Sequence, residues 1–126
     1  MAEQTPPPAP LEFRRAEDFV SLYANNVQFE TSLWDLKLIF GLLNQHEGKE
    51  VIQQHTSINI PWLQAKLGSL YLQMILVAYE ISNGKISIPP HLLPQVPPLD
   101  DNVTDPRAIE FIEAWRKILD RAATEM

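Results

Sequence analysis

The sequence predicts an α+β fold, in which an antiparallel β-sheet of three to four strands is packed by a long helix. Three observations support this prediction. Apolar residues alternate through the first half of the chain up to Ile60, as they do on strands. A long apolar helical segment then ends at Asn83-Gly84. Five prolines between residues 89 and 98 predict a crossover that leads to an amphipathic C-terminal helix.

The chain has the size and composition of one globular domain. It contains 126 residues, of which 45% are hydrophobic. Four of the first ten residues are prolines, which oppose helix and sheet hydrogen bonding. We therefore expect residues 1–15 to form a disordered proline-rich tail and residues 16–126 to form a single α+β domain.

Charge and composition argue against several classes of partner. The formal net charge is −6, and carboxylates flank the two basic pairs Arg14-Arg15 and Arg116-Lys117, so we expect no nucleic acid binding. The chain has no cysteine and begins with a polar segment rather than a basic and apolar leader. No apolar run reaches the roughly 18 residues of a membrane span. We expect a cytoplasmic protein without membrane insertion.

Residues 19–30 predict the first strand. Apolar residues occupy even positions up to Ala24 and odd positions from Val27 onward. One extra residue in a strand produces such a change of phase, and asparagine tolerates the backbone angles that this requires. We therefore expect a β-bulge or kink at Asn25-Asn26.

Residues 33–43 predict the second strand. Every second residue from Trp34 to Leu42 is apolar, and alternate residues of a strand lie on the same face, so this strand has one apolar face. A helix that begins after Ser32 is the alternative for this segment, because serine is a good N-cap and leucine favours helices.

Residues 51–60 predict the third strand, joined to the second by a polar hairpin loop over residues 44–50 in which Gly48 could adopt a positive φ. Polar side chains occupy the odd positions of this strand. Its even positions should form the apolar face, through Ile52, Thr56, Ile58 and Ile60.

The segment from residue 61 to about residue 82 predicts a long helix, with Pro61 in its first turn. Apolar residues cover most of its circumference, whereas a helix covered by one sheet needs an apolar arc only a little over ~100° wide. The simplest partner that could bury the rest of this apolar helix surface is a second copy of the chain. We therefore expect a homodimer or homotetramer, with Gly68 either admitting a second helix or merely tolerated. The expected self-association residues are Leu63, Leu67, Gly68, Leu70, Tyr71 and Met74.

The proline-rich segment and the last helix predict a surface for protein partners. Leucine and valine residues lie between the prolines of residues 89–98, and the helix that should begin at Asp105-Pro106 carries aromatic residues. An apolar groove left uncovered can bind an extended peptide. The candidate partner-binding residues are Leu92, Leu93, Val96, Phe111 and Trp115.

No catalytic or metal-binding constellation is recognisable. The histidines, His46, His55 and His91, lack the spacing of metal ligands, and the acidic residues fall on loops and outer helix faces. No nucleophile elbow, phosphate loop or dinucleotide-binding motif occurs. We expect a protein that is not an enzyme and that needs no cofactor or metal.

Two stretches resemble known families. LYANNVQFETSLWDLKLIFG, followed by HTSINIPWLQAKLGSLYLQMILVAYE, resembles a family of small bacterial proteins of unknown function over roughly residues 19–88. The order of sheet, long helix, proline-rich connection and terminal helix also resembles the secretion chaperone SecB and its relatives. That likeness implies dimers of dimers that hold unfolded chains on apolar grooves. SecB has four strands, whereas three full strands are predicted here.

These observations favour a SecB-like oligomer that binds extended apolar segments of other proteins. The alternative is a structural or adaptor subunit of a larger assembly, whose apolar faces are permanently buried. An enzyme is the third possibility, and a polar pocket in which His55 meets a carboxylate would support it.

Overall fold

The computed structural model describes Pro6 and residues 9–124 of the chain. In this part of the chain, three strands precede two α-helices and a short 3-10 turn. The strands form one antiparallel sheet in the order β1-β2-β3. This arrangement confirms the predicted α+β class. The elements are β1 Asn26–Thr31, β2 Asp35–His46, β3 Lys49–Pro61, α1 Trp62–Asn83, the 3-10 turn Pro90–Leu92 and α2 Pro106–Thr124.

The chain divides into two compact units, which meet within α1 between Ala65 and Lys66. The first unit contains the sheet and the first turn of α1. The second contains the rest of α1, the proline-rich segment and α2. Of the predicted tail, residues 1–5 and 7–8 lie outside the described residues, and residues 9–15 have no regular secondary structure.

The second and third strands are confirmed, and the helix alternative for residues 33–43 is wrong. The predicted loop over residues 44–50 is also wrong, because the strands continue to His46 and resume at Lys49. Only Glu47 and Gly48 form the turn, with φ values of 52° and 77°. Positive φ at both central residues matches the twist of a two-residue hairpin and keeps both strands in register.

The prediction of a strand that begins at residue 19 is wrong, because β1 begins only at Asn26. The Asn25 N–H still donates to the Gly41 carbonyl of β2 at 3.1 Å, and beyond this bond the Asn25 side chain takes the place of the backbone as the partner of Leu43. Its Oδ1 accepts a hydrogen bond from the Leu43 N–H at 2.7 Å, and its Nδ2 donates to the Leu43 carbonyl at 3.5 Å. Since a side chain now satisfies Leu43, the residues before Asn25 leave the ladder.

Of the predicted bulge or kink at Asn25-Asn26, the kink is confirmed by a bend of the backbone at Asn25, whereas the bulge lies in β3 instead. Phe40 pairs with Thr56 while Gly41 pairs with Gln54, so His55 is the extra residue. The bulge reverses the parity of the preceding part of β3. Ile52 therefore pairs with Leu43 and lies on the sheet face opposite to Thr56, Ile58 and Ile60, contrary to the prediction that they share a face.

The end of α1 and the start of α2 are confirmed, whereas the prediction that Pro61 lies in the first turn of α1 is wrong, because Pro61 is the last residue of β3 and α1 begins at Trp62. Gly84 follows α1 with a φ of 97°, and its N–H donates to the Glu80 carbonyl at 2.9 Å. At the start of α2, the Asp105 carboxylate accepts a hydrogen bond from the Arg107 N–H at 3.0 Å, as an N-cap does.

Candidate functional site

The candidate site is an apolar groove in the second unit, between the proline-rich segment and α2. One wall is formed by Pro94, Gln95 and Val96, and the other by residues of α2 that follow Trp115 at steps of three and four. This spacing places the helical residues on one face. The groove has a volume of about 370 Å³ and no charged residue in its lining, which comprises Pro94, Gln95, Val96, Trp115, Ile118 and Leu119.

An aromatic pair extends the helical wall. The rings of Phe111 and Trp115 stack with their centroids 6.0 Å apart and their planes inclined by 24°. Phe111 and Trp115 are 50% and 48% exposed, whereas Ile112 on the same helix is only 5% exposed. Half of each ring is thus supported by the protein and half remains free to contact a partner.

Arg116 connects the two walls from outside the groove. Its Nη2 donates a hydrogen bond to the Pro97 carbonyl oxygen at 3.3 Å. The guanidinium is directed to the backbone that follows Val96, while Trp115 lines the groove. This contact fixes the spacing of the walls without placing a charge among the apolar lining residues.

The structure brings some of the predicted partner-binding residues together and leaves others apart. Val96 and Trp115 line the groove, and Phe111 adjoins them through its stack on Trp115. Leu92 is exposed in the 3-10 turn and Leu93 is half-buried at its end, but neither lines the groove.

Sequence reasoning missed four lining residues. The helical step of three or four from Trp115 could have identified the two on α2. Their neighbours on the proline-rich wall follow no periodic pattern, so no signal in the sequence pointed to them. The missed residues are Pro94, Gln95, Ile118 and Leu119.

The helix α1 carries the second candidate surface. None of its residues is buried in the single chain. Every large apolar residue between positions 70 and 77 is exposed, and these positions cover about two turns and therefore all sides of the helix. The exposure of the large residues predicted for self-association ranges from 41% at Leu67 to 73% at Leu63. The space beside Gly68 is open, because a Cβ atom built there would have no neighbour within 4 Å.

His55 lines an open polar pocket together with Glu30, whose carboxylate lies 3.9 Å from the Lys37 Nζ, but the two ring nitrogens of His55 contact other groups. Its Nε2 lies 3.0 Å from the Tyr23 carbonyl oxygen and its Nδ1 lies 2.7 Å from the Thr56 hydroxyl. A carbonyl oxygen only accepts, so Nε2 donates, and Nδ1 of a neutral ring accepts from Thr56. The ring thus holds the segment before β1 against the bulge in β3, which is a structural role.

The described residues contain neither a metal-ligand cluster nor a helix suited to a membrane. No group of three or more histidine, cysteine, aspartate or glutamate residues in Pro6 and residues 9–124 could hold a metal ion. None of the helices in the same residues is both long and apolar enough to cross a membrane.

No protein-family model, no curated protein and no solved structure matches this chain.

Proposed function

We propose that this chain is a non-enzymatic, SecB-like oligomeric protein-binding module that holds extended apolar polypeptide segments. The observation that carries the proposal is the groove between residues 94–96 and the Trp115 face of α2, which is apolar, uncharged and open. Small apolar surfaces on proteins need no explanation, but an apolar groove with an aromatic anchor on one wall is typical of peptide recognition.

The proline-rich wall suits an extended guest. Within the described residues, no hydrogen bond is made by the backbone of Gln95 or Val96. Their N–H and C=O groups are therefore available to pair with the backbone of a peptide that lies along the wall. Backbone pairing of this kind gives affinity without sequence specificity, and the apolar lining selects leucine and aromatic side chains.

Self-association is part of the proposal. The exposed apolar surface of α1 extends around the whole helix, so a partner must cover it in water, and a homodimer or homotetramer does so without another gene product. The absence of cysteine fits a reducing compartment, and we place the protein in the cytoplasm, without cofactor or nucleic acid.

Binding of a labelled peptide in which leucine and phenylalanine alternate with serine tests the groove, with an all-serine peptide as the reference. Val96→Asp should abolish binding, because the bound peptide would bury the new carboxylate. Asn102→Asp adds the same charge on an exposed turn nearby and should bind like the wild type. Aggregation of an unfolded client should be suppressed by the wild type and by Asn102→Asp alone. Equal binding by both variants would refute the groove as the site.

An adaptor subunit is the second candidate, and the extent of apolar exposure favours it. Only Gly41 and Ile112 are buried among the described residues whose side chains can be assessed. A permanent partner of another sequence could cover so much surface. Purification of the protein from native lysate distinguishes the two functions. An adaptor should co-purify with one partner in a fixed stoichiometry, whereas a chaperone should co-purify with a heterogeneous set of proteins.

A further inference from the structure

The turn between β1 and β2 displays two large apolar side chains to solvent. We call residues 32–35 the tip. Leu33 and Trp34 are 81% and 80% exposed, more than Trp62 or Trp115. Neither side chain stabilises the single chain appreciably, because so little of its surface is covered. Tryptophan is the residue most enriched at the centres of protein interfaces.

Hydrogen bonds hold the tip in one conformation. The Ser32 hydroxyl donates to the Asp35 carboxylate at 2.8 Å and accepts from the N–H groups of Trp34 at 3.1 Å and Asp35 at 3.0 Å. The Ser32 N–H in turn donates to the Asp35 carbonyl at 3.0 Å. A rigid turn presents its apolar side chains without the entropy loss that a flexible loop would suffer on binding.

The tip is joined to the start of α1. The indole Nε1 of Trp62, the first residue of the helix, donates to the Ser32 carbonyl oxygen at 3.0 Å. Trp62 is 41% exposed and Leu63 is 73% exposed. The exposed surface of the tip therefore adjoins the exposed surface of the first turn of α1.

We infer that a second copy of this chain covers the tip together with the first turn of α1, so that Trp34 is a self-association anchor. The inference rests on the proposed self-association and adds residues to it. With roughly 200 Å² for a fully exposed large apolar side chain, the four side chains of Leu33, Trp34, Trp62 and Leu63 expose about 550 Å² of apolar surface. A stable interface covers about 800 Å² on each partner. About 65% of a homodimer interface is apolar, or roughly 520 Å² on each partner, so these four side chains can supply its apolar part.

Light scattering over a dilution series tests the inference, with Trp34→Ser as the main variant. Its dissociation constant should rise at least about thirtyfold, the scale of an interface hot spot. Ser32→Ala keeps Trp34 but removes the hydroxyl that orders the tip, and should weaken assembly by about fivefold. Leu11→Ser is the matched control, since it removes a leucine that is 86% exposed and far from the tip in sequence. It should assemble like the wild type.

Radical oxidation of the unaltered protein, read by mass spectrometry, provides a second measurement that does not depend on the folding of a variant. Trp34 should be protected in the assembled protein relative to a free tryptophan peptide. If the wild type is a monomer at every concentration, self-association itself fails. If it assembles while Trp34 is oxidised freely and Trp34→Ser assembles unchanged, only the role of the tip is refuted. If Trp34 is protected from oxidation only when the apolar peptide is added, the tip binds client peptides rather than a second copy of the chain, and the inference is overturned.

Discussion

Replacement of Trp115 by alanine should weaken peptide binding strongly, and it should also lower the stability of the fold. The indole forms part of the helical wall of the groove and is half-exposed, so a bound guest would cover its free half. Tryptophan offers up to about 250 Å² of surface, so roughly 120 Å² becomes buried on binding. At about 25 cal/mol/Å² this corresponds to about 3 kcal/mol of binding free energy, or a dissociation constant raised roughly a hundredfold.

The same replacement removes the covered half of the indole from the free protein, worth up to about 3 kcal/mol of stability, and the stack on Phe111, worth about 0.5–1.5 kcal/mol more. The two effects can be separated. Fluorescence anisotropy of the labelled peptide measures binding, and thermal unfolding followed by circular dichroism measures the fold. Trp115→Phe should give an intermediate affinity, because phenylalanine retains part of the contact area.

Lys117→Ala is the matched control for this experiment. Lys117 lies on the same helix, is exposed and does not line the groove. It should bind the peptide as the wild type does. A loss of less than about threefold in Trp115→Ala, measured on protein that circular dichroism shows to be folded, would refute the groove as the binding surface, because burial of half an indole should contribute more than that.

Three further substitutions test the fold and the proposed assembly. Gly41→Ala should lower the free energy of unfolding by about 1–3 kcal/mol in urea titration, because its Cβ would lie 2.9 Å from the Gln53 carbonyl oxygen; unchanged stability would contradict the register. Asp105→Ala should cost about 1 kcal/mol by the same measurement, because the Arg107 N–H loses its cap. Gly68→Leu should favour the isolated helix by up to about 1 kcal/mol yet weaken assembly in light scattering; unchanged assembly would show that no helix approaches closely there.

Much of the fold could be predicted because local patterns control it. The alternation of residues 34–42 predicts β2, and Asn83-Gly84 predicts the end of α1 through the positive φ that glycine allows. Asp105 marks the start of α2 because its carboxylate satisfies a free N–H group. These signals act within a few residues, so the sequence alone carries them.

The errors arise where contacts distant in sequence decide the structure. The change of phase at Asn25 predicts a bulge or kink; the chain does bend at Asn25, but the strand ends there because the Asn25 side chain binds the backbone of Leu43, 18 residues away. The actual bulge at His55 is stabilised by the Tyr23 carbonyl, 32 residues away. In the same way the groove residues on the proline-rich wall depend on how that segment lies against α2, which no local pattern encodes.

The two apolar surfaces differ in a way that suits two functions. On α1, exposed apolar residues occupy all sides between positions 70 and 77, so we propose that a partner covers the helix in water. On α2, Arg116, Lys117, Asp120 and Arg121 are polar, and the large apolar residues that are exposed lie in the groove or beside it, namely Phe111, Trp115 and Ile118. A surface of limited width with a polar surround can be left open between binding events without driving aggregation. The proposed permanent association through α1 and the proposed reversible binding at α2 would both follow from one difference, the fraction of the helical circumference that is apolar.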